Sequence, residues 1–577
     1  MQPENQAGAV RAATASPAAP AEPSTSAAAG LWAWLLAPSL MLAGMLHAGS
    51  VAWPWSGQAQ WWLQLLALAG AVWLIGQPVP GGASRRRSFR AGFLRGWLFA
   101  LAWLCATFWW LYVSMHTYGG MPPWLAGGAV LLLAAGLSLY YALSAGLWLA
   151  WRSAHPFRPW GGLLFAALWL LAELCRGVLF TGFPWGAAGY AHVDGPLAGF
   201  APWLGVYGIG FVAAWFAAGL GQMLWKLRTG RMPRRATPAT PRGTLVLALG
   251  TVGLGLVLQQ MVNPGLTRAA GERPLRVELL QGNIPQNEKF QPNGGVLVAL
   301  QWYGEQLGAS RSDLVVIPET ALPMLPQQLP PDYWQALQQR FGQGGQAALL
   351  GMPAGNADTG YANAVVGMAP GGVRTIGGTR QAELALPPAA LPEYSYAKHH
   401  LVPFGEFIPF GFQWFVDLMQ MPLGNFQRGA LSQPRLLWQD QRIQPNICYE
   451  DLFGEELAAS FGEGGVAPTV LVNVSNIAWF GDTVAIDQHR HISRMRALEL
   501  GRPMLRATNT GATAIIDHAG HVQQELPRLQ RAVLAGEVQG REGVTPFAWW
   551  AARLGLAPLW LLGLLAAGVL LLGTRRR

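Results

Sequence analysis

The chain has 577 residues, of which 52% are hydrophobic and only 12% charged. Soluble globular domains carry about 25% charged residues, so this composition excludes an ordinary soluble protein. The net charge of +10 could point to nucleic acid, but its placement does not: residues 274–545 hold 18 Lys and Arg against 24 Asp and Glu. The basic excess belongs to the apolar remainder, and no nucleic-acid partner is expected.

In chain order, residues 1–29 are rich in Ala, Pro and Ser with few large apolar side chains. Such a segment cannot bury a core and is expected to be a disordered cytoplasmic tail. It has no basic run of the kind that opens a cleavable signal peptide. Apolar stretches of roughly 20 residues, the length that crosses a bilayer, follow near 30–49, 61–78, 93–115, 123–151, 161–181, 203–225 and 243–262, with one more at 548–573. Basic segments at Ser84–Arg95, Arg152–Arg158, Lys226–Arg242 and Arg575–Arg577 alternate with turns at 50–60, 116–122 and 181–201 that contain no Lys or Arg. By the positive-inside rule both termini are cytoplasmic and the block between 263 and 547 lies on the opposite side. The expected architecture is a multi-pass helical membrane bundle of about eight spans, seven within 30–262 and the last at 548–573, carrying an exported domain at 274–540. Trp53, Trp55, Trp109, Trp110, Trp185, Trp203, Trp549 and Trp550 fall where an interfacial aromatic belt is expected. Glu173 and Arg176, three residues apart in the fifth span, share one helix face. A charged pair there marks either mutual neutralisation or a functional site.

The exported block alternates β-rich runs (275–280, 314–317, 347–351, 470–474, 512–516) with helical segments (286–307, 332–341, 486–500), the pattern of an α/β sandwich. Of the three cysteines, Cys105 and Cys175 fall in predicted spans, which leaves Cys448 alone in this block. A lone exported thiol is either a reactive group or a small buried hydrophobe; counting cysteines alone favours the second. His489 and His491 are two apart and point to different helix faces, so they make no metal pair. With no HExxH, GxSxG or Walker sequence, neither a metal nor a nucleotide cofactor is expected.

Three segments carry chemistry. VVIPETALP places Glu319 just past an apolar strand; YAKHHLVPFGEFIP sets Lys398 and Glu406 among apolar residues; IQPNICYED puts Cys448 at the end of a short apolar run. In open α/β sheets, ligands collect at the carboxyl ends of strands, where all three could deliver side chains. Glu319 could take the thiol proton, Lys398 could hold the thiolate and then the oxyanion, and Cys448 could form a thioester. The bland readings are a helix-capping Glu and a solvated Lys.

These segments, with QGNIPQ at 281–286, VSNIAWFG at 474–481, the 488–506 stretch and ATNTG at 507–511, resemble the nitrilase superfamily. With the preceding bundle they resemble the apolipoprotein N-acyltransferases of bacterial inner membranes over roughly residues 30–573. The resemblance implies an αββα nitrilase-like sandwich on the periplasmic side, no cofactor, a monomer, and ping-pong transfer of a phospholipid sn-1 chain. Phosphatidylethanolamine is the preferred donor, and the acceptor is the N-terminal amine of diacylglyceryl apolipoproteins. It assigns Glu319 as base, Lys398 as oxyanion stabiliser and Cys448 as nucleophile. Glu406, Tyr449, Glu450, Phe290, Asn476, Trp479 and Phe480 are implied as supporting residues. Arg176 is implied near the lipid-binding side, placing a headgroup or the bundle beneath the site. The sequence departs from the family pattern twice: Phe290 stands where a Trp is frequent, and Ile477 where an Asp is frequent, so an indole N–H and a carboxylate are lost there. A membrane-tethered amidohydrolase, with water as acceptor, is the alternative that the same residues would serve. A transporter or scaffold would instead show internal repeats with broken helices, which the sequence lacks.

Overall fold

In lipid a backbone can satisfy its own hydrogen bonds only as helix or closed barrel, and the apolar stretches do form helices. They are Thr25–Val51, Trp61–Ile75, Arg85–Phe108, Pro123–Ala154, Gly161–Val178, Ala201–Thr229 and Pro241–Met261. The computed structural model describes residues 25–79, 84–155, 160–229, 241–261, 265–358, 360–378, 394–409, 411, 413, 426–463 and 465–572. Most of the expected N-terminal tail, and parts of the basic segments near 156–158, 230–240 and 575–577, lie outside the described residues.

Among the described residues five helices are long and apolar enough to cross a bilayer, or six if a bent pair counts as one span. Five or six of the expected stretches, of about eight, are thus seen as full-length membrane helices among the described residues. Trp61–Ile75 and the apolar run Leu249–Gln260 are shorter, and the 548–573 stretch is broken. It forms Pro546–Leu554 and Ala557–Leu572 at 89° to each other, with Gly555 at φ 53 between them. The cause is a conflict of partners. Thr545 caps the first segment by accepting the Ala548 N–H, and Phe547, Ala548 and Ala551 are buried with residues of the sheet-bearing block such as Leu471 and Met504; only the second segment is free to run as an apolar helix. Elsewhere small residues let helices close up, as lipid-embedded helices require: a Cβ on Gly92 would lie 2.6 Å from the Ala145 carbonyl, and one on Gly96 would lie 2.4 Å from the Ala145 methyl.

The block that follows the bundle contains two main sheets. Its strands are β1 (Arg268–Ala269), β2 (Leu275–Gln281), β3 (Leu314–Val316), β4 (Ala347–Asn356), β5 (Gly360–Met368), β6 (Arg374–Ile376), β7 (Tyr394–Ala397) and β8 (Arg435–Trp438). They continue with β9 (Gln441–Ile447), β10 (Val470–Ser475), β11 (Met504–Thr508), β12 (Ala514–Ile516), β13 (Val522–Glu525), β14 (Ala532–Val538) and β15 (Arg541–Glu542). One sheet has the order β14-β2-β3-β4-β5-β7, the other β13-β12-β11-β10-β9-β8-β6; β1 pairs with β15, so strand pairing runs two residues past the 540 boundary. Side chains such as Val277, Leu279 and Val316 meet Ile443, Ile447 and Val472 in a single core between the sheets. The outer face of the first sheet is covered by helices Leu297–Ala309 and Pro331–Gln343, that of the second by Ala485–Leu500 and Pro546–Leu554. This is the αββα layering of a nitrilase-like domain. The expected helix over 286–307 starts as a regular α-helix only at Leu297, because Asn293 and Gly294 leave helical geometry.

Helix Ala485–Leu500 mounts the sandwich on the bundle. Glu499 Oε1 accepts the Val206 N–H at 2.6 Å, Arg494 pairs with Asp194, and Gln488 Oε1 accepts the indole N–H groups of Trp185 at 2.7 Å and Trp110 at 3.1 Å. Trp110 and Trp185 are thus buried at this junction, not members of an interfacial belt.

Candidate active site

Strands β2-β3-β4 and β9-β10-β11 run parallel, so their carboxyl ends open to one edge of each sheet. Glu319 follows β3, Lys398 follows β7, Cys448 follows β9 and Asn476 follows β10. The three sequence segments thus converge, and the converging side chains are buried: Glu319 is 7% exposed, Lys398 1% and Glu406 8%. Cys448 keeps partial exposure.

Lys398 Nζ donates to Glu319 Oε1 at 3.2 Å and to Glu406 Oε1 at 3.0 Å. Asn363, on β5, bridges the same two oxygens through its amide at 2.7 Å each. Glu319 Oε2 accepts the Asn476 N–H at 2.8 Å, and Glu406 Oε2 accepts the Val402 N–H at 2.8 Å. An ammonium has three N–H donors; the two carboxylates take two and leave one for a substrate oxygen. Lys289 Nζ donates to the Glu319 carbonyl at 3.1 Å.

This packing sets the charge states. Burial pushes Glu319 up, but Lys398, Asn363, Lys289 and the Asn476 N–H together outweigh it and hold the carboxylate below its ordinary range. Burial pulls Lys398 down, but Glu319 and then Glu406 outweigh it and hold the ammonium above its ordinary value. Burial lowers Lys289 to about 8. The Cys448 thiol is pushed up to about 12, by burial first and the Glu319 charge second. At neutral pH the resting site is therefore a thiol beside a carboxylate and an ammonium. The proton must leave sulfur as the new bond forms, not before.

Glu450 ties the nucleophile turn to the lysine loop. Its carboxylate accepts the N–H of Ile447 at 2.6 Å and of His399 at 2.6 Å, together with the Tyr396 hydroxyl at 3.1 Å. Burial raises it to about 7 against those donors. Tyr449 turns the other way, donating to the Gly182 carbonyl of the bundle at 3.1 Å. Cys448 itself has φ 51, a left-handed backbone that a residue with a β-carbon adopts only when its surroundings hold it there.

The remaining expected site residues divide. Asn476 belongs to the site, joining Glu319 through its backbone and Gln286 through its amide at 2.8 Å. Phe290 is exposed, its ring 6.0 Å from Lys289 Nζ; Lys289, its buried neighbour, is the residue that reaches Glu319. Trp479 and Phe480 face the bundle instead, against Tyr118 (6.1 Å) and Trp110 (4.3 Å). Ile477 is buried with Tyr449 and Phe453 in the apolar junction, which has no use for a carboxylate. Arg176 is buried inside the bundle, donating to Tyr141 at 2.9 Å and to the Phe183 and Trp185 carbonyls at 2.8 and 2.7 Å. Glu173 is not its hydrogen-bond partner; it accepts the Ala188 N–H at 2.8 Å. Asn363 and Lys289 are the site residues that sequence reasoning passed over. Asn363 reads as one polar residue in an apolar strand, and only Lys289 carried a signal, through its place after the QGNIPQ motif.

Residues 43–219 match the apolipoprotein N-acyltransferase N-terminal domain family and residues 276–546 the carbon-nitrogen hydrolase family. An apolipoprotein N-acyltransferase of Verminephrobacter eiseniae is 52% identical over 534 residues, covering 91% of this chain and 94% of its own. The chain belongs to the apolipoprotein N-acyltransferase family. Further relatives are those of Ralstonia nicotianae, 44% identical (93% of this chain, 92% of its own), and Neisseria meningitidis serogroup B, 35% identical (90% and 97%). Membership makes this a bacterial membrane protein with an acyltransferase identity, and the hydrolase-type domain is where the Glu319, Lys398 and Cys448 segments lie.

Proposed function

We propose that the protein moves an acyl chain from a phospholipid, through a thioester on Cys448, to the N-terminal amine of diacylglyceryl apolipoproteins. The observation that carries this reading is the convergence of Glu319, Lys398 and Cys448 at three strand ends, beside an apolar bundle. Both proposed substrates live in the bilayer, so fixing the nucleophile against membrane helices replaces a three-dimensional search with lateral diffusion and orientation.

Cys448 Sγ attacks the sn-1 ester carbonyl carbon while Glu319 takes the thiol proton. The third Lys398 N–H receives the developing oxyanion, and Glu406 keeps the ammonium charged and aimed. Collapse breaks the ester C–O bond, and Glu319 returns the proton to the leaving lysophospholipid oxygen. In the second half, Glu319 takes a proton from the incoming amine as its nitrogen attacks the thioester carbonyl, and sulfur leaves to recover its proton. Phosphatidylethanolamine is the proposed donor and the monomer the working unit. We assign residues 1–29 to a cytoplasmic tail, 30–262 to the bundle, 274–540 to the periplasmic catalytic domain and 548–573 to the C-terminal membrane helix, in an inner membrane crossed about eight times. The charge alternation of the loops supports this topology.

The acceptor separates this reading from an amidohydrolase. Acyl-enzyme formed in proteoliposomes is divided, one half left in buffer and the other given a diacylglyceryl lipopeptide. The proposal expects persistence in buffer and discharge with the lipopeptide. Equal, rapid loss in both would assign water as acceptor.

A further inference from the structure

The backbone of Cys448 is held from behind by groups that the reaction scheme does not use. Its carbonyl accepts from Asn473 Nδ2 at 3.2 Å and lies 3.3 Å from His489 Nε2. Arg506 approaches the other ring nitrogen, Nδ1, at 2.8 Å. A guanidinium can only donate, so Nδ1 is the acceptor and the ring proton sits on Nε2, facing the Cys448 carbonyl and Asp451 Oδ1 at 2.8 Å. Asp451 is fixed in turn by the Ser493 hydroxyl at 2.5 Å and by Arg506 at 3.5 Å. The ring is 1% exposed, and burial, then the Arg506 charge, hold it below its ordinary value, so it stays neutral and keeps this tautomer. Its helix cannot drift: the preceding residue, Gln488, receives two indole N–H bonds from the bundle, and the Trp185 ring lies 5.3 Å from the imidazole.

We propose that His489 is a positioning residue for acyl transfer, its Nε2–H holding the Cys448 carbonyl so that the left-handed turn presents the thiol to Glu319 and Lys398. This rests on the reading of Cys448 as nucleophile. His489 bonds a carbonyl and a carboxylate, not the reacting atoms, so it sets geometry and does not move the transferred proton.

The test uses full-length protein in proteoliposomes and single-turnover acylation by phospholipid labelled in its sn-1 chain. His489→Gln keeps a donor near the Nε2 position, His489→Asn is too short to reach it, and His489→Leu has none. Leu and Asn are expected to slow acylation by about a hundredfold, the scale of a misplaced nucleophile, with the phospholipid KM and the melting temperature near wild type. Gln is expected to recover most of the rate. Wild-type speed in the Leu variant, or a Gln variant no faster than Asn at equal stability, would overturn the proposal; should Leu not fold, the Gln and Asn comparison decides. Absence of a wild-type adduct would refute Cys448 as nucleophile, an outcome distinct from a normal adduct that His489 variants leave unchanged.

Discussion

Glu319 and Lys398 enter the site from the six-stranded sheet and Cys448 from the seven-stranded one, and the two halves are held in different ways. The charged half is held mainly from its own sheet: Asn363 and Lys398 each bond both carboxylates, the other sheet adds the Asn476 N–H to Glu319, and among the described residues no bundle residue bonds either carboxylate. The nucleophile half leans on the membrane part, through Tyr449 on Gly182 and through Gln488 on Trp110 and Trp185. A buried network of charges must be complete to be stable, so the electrostatics sit where nothing else can disturb them. Placement of the thiol is left to the junction with the bundle.

The largest effect is expected from the charged half. Glu319→Gln removes the base and should slow single-turnover acylation by about a thousandfold; a loss below tenfold would mean that the proton leaves by another route. Lys398→Met should lower kcat by about a hundredfold with little change in KM. It also leaves Glu319 and Glu406 facing each other unpaired, so stability should fall by about 3–5 kcal/mol in denaturant unfolding. Arg176→Gln should loosen the loop that carries Trp185 and reduce acylation by roughly tenfold, while leaving the acid limb of the kcat/KM profile where it was. A shifted limb would break the separation between the halves.

The smallest effect sharpens it. Below pH about 8, where Lys289 is charged, its ammonium favours the ionised form of Glu319. Without that charge Glu319 binds its proton more readily, so Lys289→Met should move the acid limb to higher pH. An unmoved or lowered limb would contradict the electrostatic role of Lys289.

Much of the charged half was legible because each chemical residue sits in a contiguous motif after an apolar strand, as Glu319 does in VVIPETALP. Asn363 was not, since its meaning lies in oxygens 43 and 44 residues away. His489 was read only against His491, whereas its partners are Cys448, Asp451 and Arg506, brought near by the fold. In the bundle, apolar runs located the helices but not their partners. Gly555 breaks the last stretch because Phe547 packs with the sheet-bearing block, and Trp110 and Trp185 leave the expected belt for Gln488. Composition reports what lipid tolerates; it is silent on which protein surface competes with lipid for the same helix.

The most direct test of the central claim is peptide mass spectrometry on Cys448 after full-length protein in proteoliposomes meets phospholipid labelled in its sn-1 chain. The account predicts the labelled acyl mass on the Cys448 peptide in wild type, at the roughly thousandfold reduced rate in Glu319→Gln, and its loss on adding a lipopeptide amine. Acylated lipopeptide with an unmodified Cys448 at every time point, or the label on another residue, would contradict it.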